Sequence, residues 1–198
     1  MPATPGKTMP AIVAEIQANL AQAEDLAKGL SIGQFNWSPE PGTWSVGQNL
    51  AHLTIVNGPD VHSLGRAVEA GRSEGMTGKG PFYYSFPVRW FVSSQEPPVK
   101  RKFKASRYFE PPAEIEPESV LAACRRISEE LQRLAGEADG LHLDCVKVDM
   151  PAFPPLIRAL IRMPLGARFE LLTAHDRRHL AQAGEVRRNP RFPTVWKV

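Results

Sequence analysis

Apolar side chains recur at intervals of three and four positions in four long segments of the chain, and this spacing predicts four amphipathic helices. The apolar positions of the first segment are Ile12, Ile16, Leu20, Ala23, Ala27 and Leu30. Those of the third segment are Val120, Cys124, Ile127, Leu131, Leu134 and Ala138. The second segment starts at Ser45, and the fourth runs from about Pro164 to Val186. The predicted fold class is therefore all-α.

Residues at the starts of two segments favour these helix boundaries. Thr8 is a candidate cap of the first helix, with Pro10 close to its first helical position. Ser45 and Gln48 form a capping-box pattern, in which each side chain accepts a hydrogen bond from a backbone N–H. Inside the second helix, Pro59 cannot donate to the carbonyl of Ile55, so we expect a kink or a break there.

The connection between the second and third predicted helices spans about 45 residues and is rich in proline and aromatic residues. A connection of this length usually has a function or small elements of its own. We expect its aromatic part to pack over one end of the helices, with Tyr83, Tyr84 and Trp90 in the core rather than at the mouth of a pocket. The basic run at 100–104 is expected to be a solvated loop edge, and the apolar residues 156–161 a short helical turn.

The composition indicates a single domain over residues 1–198, with 42% hydrophobic residues to fill its interior. A net charge of +3, from 24 basic and 21 acidic residues, is too small to favour a nucleic-acid partner. Cys124 and Cys145 fit neither a zinc ribbon nor a disulfide framework, so we expect a reducing compartment. The N-terminus does not resemble a signal peptide, and no apolar run reaches the length of a membrane span. These features predict a cytoplasmic protein with no membrane segment.

Two of the five histidines, His175 and His179, are four residues apart in the fourth predicted helix. Side chains at this spacing lie on the same helix face, so both imidazoles can reach one ion. From the spacing alone, a metal site and a pair of structural histidines remain equally open. Asp176 occupies the position at which a zincin has its catalytic glutamate, and its shorter side chain argues against a zinc protease. We expect Asp176 either to orient a ligand or to form a buried salt bridge, while Arg177 and Arg178 point outward.

An open metal site needs a third protein ligand, and His52 in the second predicted helix is the candidate. The helical period places it on the side of Asn49, beside the apolar stripe and not within it. From that helix alone, a flanking core or solvent position is favoured for His52. His62 and His142 are interpreted as surface or loop histidines.

Two segments are similar to the signatures of a known family. Residues 41–53 read PGTWSVGQNLAHL, and residues 175–182 read HDRRHLAQ, followed by PRFP at 190–193. A Trp-Ser helix start with one histidine, and then a distant His-x-x-x-His near the C-terminus, resemble the DinB-like (DinB/YfiT) superfamily. The resemblance covers most of the chain.

This resemblance implies a four-helix bundle with an up-down-down-up arrangement and a long irregular crossover between helices 2 and 3. It also implies a divalent metal, commonly zinc or nickel, held by His52, His175 and His179. Asn49, Asp176 and Gln48 are the expected neighbours of that site. Many members of the family have Glu at the position of Gln48, which bears on the helix cap and on the charge of the site.

Characterised members of the family include S-transferases that use bacillithiol and isomerases that use mycothiol, while many members have no assigned reaction. The first hypothesis is therefore a metal-dependent enzyme that activates a low-molecular-weight thiol for transfer to a small electrophile. A hydrolase that activates water is the nearest alternative, because a bound cation promotes proton loss from either molecule. The third reading is a non-catalytic ligand-binding or interaction bundle. Cys124, on the apolar stripe of the third helix, is interpreted as a small core residue. A homodimer would be compatible with such a bundle.

Overall fold

The computed structural model describes residues 4–98, 107–150 and 162–194, and this part of the chain is mostly helical. In chain order the elements are α1 (Met9–Ala27), α2 (Ile32–Phe35), α3 (Val46–Ser73), α4 (Phe86–Ser93), α5 (Pro117–Ala138), β1 (Lys147–Asp149), β2 (Arg162–Pro164) and α6 (Leu165–Arg187). The predicted all-α class is confirmed, with one small two-stranded sheet added. The basic run at 100–104 and the predicted turn at 156–161 lie outside the described residues.

The starts of α1 and α3 follow from the predicted caps. The Thr8 hydroxyl accepts a hydrogen bond from the backbone N–H of Ala11 at 3.4 Å. The Ser45 hydroxyl accepts from the N–H of Gln48 at 3.0 Å, and the Gln48 amide oxygen accepts from the N–H of Ser45 at 3.1 Å. The capping box is therefore confirmed at the start of α3, the helix that carries His52.

The α3 helix continues through Pro59, so the break that we considered there is absent. Pro59 leaves the carbonyl of Ile55 without its usual helical donor. Pro59 is exposed. Water can therefore serve that carbonyl on the outer side of the helix, and the helical path is retained.

The four long helices pack so that α1 and α3 each contact both α5 and α6. Three clusters of buried side chains lie in the interior of the described part. The first includes Leu64 and Phe169, the second includes Leu50 and Leu180, and the third, which is smaller, includes Met163. Each large apolar side chain that is fully buried stabilises the fold by roughly 1.5–3 kcal/mol. The second cluster adjoins the part of α3 and α6 that carries His52 and His179.

The connection between α3 and α5 contains α4, which packs against α6, and a 3-10 turn at Arg107–Phe109. Tyr84 is buried, as expected, but Tyr83 and Trp90 are 48% and 62% exposed, so their predicted core positions are wrong. The reason lies in the helical period of α4. Val88 and Val92, four residues apart, face the core, which leaves Trp90 on the other side.

The small sheet follows α5. Its strands are antiparallel, with Val148 opposite Met163. β2 runs directly into α6, and the N–H of Leu165 donates to the carbonyl of Val146. The sheet thus ties the start of α6 to the segment after α5. Within the described ranges, no helix combines the length and the apolar character that crossing a bilayer requires.

Candidate metal centre

Three histidines from two helices converge at one point of the structure. His52 lies on α3, and His175 and His179 lie one turn apart on α6. One ring nitrogen from each lies within 4.8 Å of the other two. The ring centroids are 4.4 Å apart for His52 and His179, 5.4 Å for His52 and His175, and 4.6 Å for His175 and His179. We call this group the histidine triad.

Polar contacts between α3 and α6 hold the two helices at the distance that the triad needs. A buried ion pair joins Asp60 of α3 to Arg168 of α6. Nearer the triad, the Asn57 amide donates to a carboxylate oxygen of Asp176 at 2.9 Å. Because both contacts are largely removed from water, they specify how the helices align as well as contributing to stability.

Hydrogen bonds fix which nitrogen of His52 and of His179 carries the proton. His52 Nδ1 lies 2.8 Å from the carbonyl oxygen of Phe109, which can only accept. The Asn49 amide group donates to the Ser45 carbonyl at 2.9 Å, so its oxygen is the atom that faces His179 Nδ1 at 3.2 Å. Both Nδ1 atoms are therefore donors, and the lone pair of each ring is on Nε2. This tautomer is the one that a metal-binding imidazole needs.

The third ring, that of His175, tests whether the triad fits a metal. Within the described residues, its Nδ1 atom is buried and has no hydrogen-bond partner. A buried polar atom without a partner costs free energy, and such atoms in native structures require an explanation. Three neighbouring imidazoles, one of them with an unsatisfied nitrogen, match the ligand chemistry of a divalent cation such as zinc or nickel.

Burial also keeps the triad in the protonation state that binds metals. Removal from water, together with the neighbouring histidines and Arg178, lowers the pKa of His179 to about 2. Burial, with His52 and Arg178 adding to it, lowers the pKa of His175 to about 3. Burial lowers the pKa of His52 as well, opposed by its hydrogen bond to Phe109. All three imidazoles are therefore neutral at pH 7, and a cation does not have to displace a proton from them.

Trp44 forms a wall of the site, where we expected only a packing residue ahead of the helix. Its ring stacks on His179, with the centroids 5.7 Å apart and the planes 29° apart. Its centroid is also 4.8 Å from that of His52. Trp44 directly precedes the cap residue Ser45, so the geometry of the helix start places the indole over the triad.

The three predicted neighbours of the triad lie in different places. Asn49 is 1% exposed and contacts His179. Gln48 completes the capping box, and its amide also donates to the carbonyl of Pro112 at 3.2 Å, so it supports the start of α3. Asp176 faces away from the triad toward the interior, where its hydrogen bond comes from the neutral amide of Asn57.

Asp176 lines a partly open cavity of about 40 Å³ together with Cys124 and Asn19. This volume suffices for roughly two water molecules. Burial raises the pKa of Asp176 to about 7, with the hydrogen bond from Asn57 and the charge of Arg177 opposing that shift. The salt bridge that we considered for this carboxylate is replaced by an amide contact.

Arg178 does not point outward as we expected. It is 6% exposed, and its guanidinium donates to the carbonyl of Ser94 at 3.4 Å. Arg177 is half-buried and pairs with Glu15 at 3.0 Å and with Glu96. The segment that contains α4 covers this face of α6, and the periodicity of α6 alone could not reveal that cover.

Sequence reasoning also missed the carbonyl of Phe109, which orients His52. A backbone carbonyl carries no residue-type signal, so no motif could have found it. For Trp44, the signal was present in the Trp-Ser helix start, which places the indole next to the first turn of α3.

A family model described as the DinB superfamily matches residues 15–183, a range that includes all three histidines of the triad. No curated protein and no solved structure matches the chain.

Proposed function

The chain belongs to the DinB superfamily, and on that basis we propose that it is a divalent-metal-dependent enzyme that activates a low-molecular-weight thiol for transfer to a small electrophile. The observation that carries the proposal is the convergence of His52, His175 and His179, whose ring nitrogens lie within 4.8 Å of one another. Histidines that only stabilise the fold do not require three ring nitrogens so close to one another.

In the proposal, the histidine triad holds zinc or nickel, since imidazole ligands suit both metals. Three protein ligands leave a position for a substrate, as in other catalytic sites. A divalent cation held by neutral ligands keeps its positive charge and lowers the pKa of a thiol or a water that binds to it.

The remaining roles belong to side chains around the triad. Asn49 and the carbonyl of Phe109 hold two rings in the metal-binding tautomer. Trp44 covers the rings and limits access of water. Arg178 places a positive charge near the triad, close enough to contribute to the lowered pKa of His175 and His179 after burial.

The thiol is proposed to come from the substrate and not from the protein. Burial raises the pKa of Cys124 to about 12, so this side chain stays a protonated thiol at pH 7. Cys145 lies in the turn before β1, near the other end of α6. Neither cysteine therefore supplies the nucleophile.

The proposed scaffold is an up-down-down-up bundle of α1, α3, α5 and α6. Contacts between helix ends support this arrangement. α1 and α6 run in the same direction, as the contacts of Lys7 with Glu170 and of Asp25 with Arg187 indicate.

The other two helices run opposite to these. For α3, the contacts of Asp60 with Arg168 and of Asn49 with His179 indicate a direction opposite to that of α6. α5 runs opposite to α1, as the contacts Gln17–Gln132 and Glu24–Arg125 indicate.

The first test measures the metal. Protein purified without an affinity tag is analysed for bound metals by mass spectrometry, and His52→Ala is compared with His62→Ala. The second variant is a matched control, because His62 lies on the exposed side of the same helix. We expect His52→Ala to lose one equivalent of metal that His62→Ala retains. Equal metal content in both variants would favour the non-catalytic bundle.

The second test separates the two enzymatic readings. Zinc-loaded and nickel-loaded protein is assayed for conjugation of glutathione or cysteine to 1-chloro-2,4-dinitrobenzene, and for hydrolysis of 4-nitrophenyl acetate without a thiol. We expect conjugation that requires the metal and disappears in His52→Ala. Triad-dependent hydrolysis with no conjugation would replace the thiol proposal with the water-activating alternative.

A further inference from the structure

A second cluster of potential metal ligands lies far from the histidine triad. His142, Asp144 and Cys145 each offer one ligand atom, and these atoms lie within 4.8 Å of one another. They occupy the turn between α5 and β1, which contacts the start of α6 through the hydrogen bond from the N–H of Gly166 to the carbonyl of Leu143. The triad is roughly 15 Å further along α6, at 1.5 Å per residue. We call residues 142–145 the ligand turn.

We propose that the ligand turn is a second metal site, which takes a borderline divalent cation such as zinc. The backbone conformation of the turn supports this proposal. The carbonyl of His142 accepts hydrogen bonds from the N–H groups of Cys145 and Val146, both at 3.0 Å. Such a turn brings its first and fourth residues together, so the imidazole and the thiol approach each other. This i, i+3 spacing is the one that paired ligands have in zinc-binding turns.

Neighbouring segments hold the His142 ring in place. The N–H of His142 donates to the carbonyl of Met76 at 2.8 Å. A Cβ atom on Gly78 would lie 2.8 Å from the imidazole, so the ring rests directly against this glycine backbone. On another side the ring contacts Phe82, with the centroids 5.3 Å apart. The imidazole is therefore positioned before any ion binds.

The ligand set is a thiol, an imidazole and a carboxylate. Asp144 Oδ1 lies 2.5 Å from His142 Nδ1, which puts these two groups on the same side of the turn. Ligand atoms around one zinc ion lie roughly 3–4 Å apart, so a cation that binds both groups replaces the hydrogen bond between them, and rotation of the Asp144 and Cys145 side chains completes the set. Three protein ligands in a solvent-accessible turn leave a position for water. The ammonium of Lys147 donates to the Asp144 carbonyl at 2.7 Å, so we expect a lower affinity than at the triad.

Cobalt(II) is a probe that distinguishes the two sites. A cysteine thiolate bound to cobalt gives a charge-transfer band in the near ultraviolet, whereas a site made only of imidazoles does not. Titration of untagged protein with cobalt chloride should produce this band. We expect Cys145→Ser to abolish it, while Cys124→Ser and His175→Ala retain it. Retention in His175→Ala makes the result independent of the proposed function.

Two further variants test whether the cluster acts as one site. His142→Ala and Asp144→Ala should each weaken cobalt binding at the band by about tenfold or more. Competition with zinc should remove the band. The proposal is overturned if no band appears at saturating cobalt, if the band depends on Cys124, or if neither His142→Ala nor Asp144→Ala changes the affinity.

Discussion

The histidine triad and the ligand turn each bring three potential metal ligands together, but by opposite routes. The triad takes His52 from α3 and His175 and His179 from α6, so its geometry exists only when these helices pack. The ligand turn takes its three groups from four consecutive residues. The ligands of the first site meet only through the tertiary fold, whereas those of the second site come from one short stretch of backbone.

Burial separates the two sites further. His52 and His179 are 4% and 8% exposed, whereas the His142 side chain is 42% exposed. Removal from water lowers the pKa of each triad histidine, which keeps these rings neutral and ready for a cation. Solvent reaches the ligand turn and competes for its ligands. The triad, which the fold assembles in advance, should therefore bind a cation more tightly. The ligand turn should bind a cation more weakly and exchange it faster.

The largest expected difference lies in how metal binding couples to folding. Zinc at about 1,000 times its dissociation constant for the triad should raise the free energy of unfolding by about 4 kcal/mol, because the unfolded chain cannot assemble ligands from α3 and α6. His179→Ala should remove this gain. Cys145→Ser should leave most of it, since the unfolded chain still carries the ligands of the turn side by side. Urea unfolding followed by circular dichroism, with and without zinc, measures both.

The expected difference between the two sites is contradicted if Cys145→Ser removes as much zinc-dependent stability as His179→Ala does. In that case the ligand turn would be as strongly coupled to the fold as the triad.

The second prediction concerns the ion pair that joins α3 to α6. Asp60→Ala leaves the guanidinium of Arg168 buried without its counter-charge, and should lower the free energy of unfolding by about 3 kcal/mol. It should also weaken metal binding at the triad more than cobalt binding at the ligand turn. Chemical denaturation and metal titration of the same sample measure the two effects.

A double variant, Asp60→Ala with Arg168→Met, is the control. Replacing both charges by apolar groups should recover much of the lost stability. If the double variant is as unstable as Asp60→Ala, the packing of the two side chains matters more than their charges.

The third prediction isolates the orientation of one ligand. Asn49→Ala removes the acceptor for His179 Nδ1, and should weaken metal binding at the triad by about 10- to 100-fold. Asn49→Asp retains an acceptor and should keep binding close to that of the wild type. Competition with a chelator of known affinity measures the change, and the cobalt band of the ligand turn should be unaffected. Equal affinity in Asn49→Ala and the wild type would mean that packing alone orients the ring.

Within the triad, what the sequence could predict follows the division between local and tertiary geometry. The shared face of His175 and His179 could be predicted, because a spacing of four within one helix is a local property. Helical periodicity alone favoured a flanking position for His52, and only the resemblance of its segment to a family signature joined it to the other two. The capping box at Ser45 and Gln48 is local and is confirmed.

The errors occur where one segment covers another. Arg178 was expected in solvent, but the segment after α4 buries it. Trp90 was expected in the core, but α4 presents Val88 and Val92 to α6 instead. In each case the helical period describes one element correctly, and the outcome depends on a neighbour that the period does not contain.

The smallest expected effect is the pH dependence of the metal-free protein. In the folded chain, burial lowers the pKa of His175 to about 3 and of His179 to about 2, while an unfolded histidine titrates near 6.5. As the pH falls from about 7.5 to about 5.5, the unfolded state therefore gains protons that the folded state does not. The free energy of unfolding should fall by about 1.4 kcal/mol for each such histidine. His179→Gln should lose correspondingly less over this interval than the wild type does. Urea unfolding in the presence of a chelator at the two pH values measures this difference, and an equal loss in His179→Gln and the wild type would show that burial of the triad does not set its protonation.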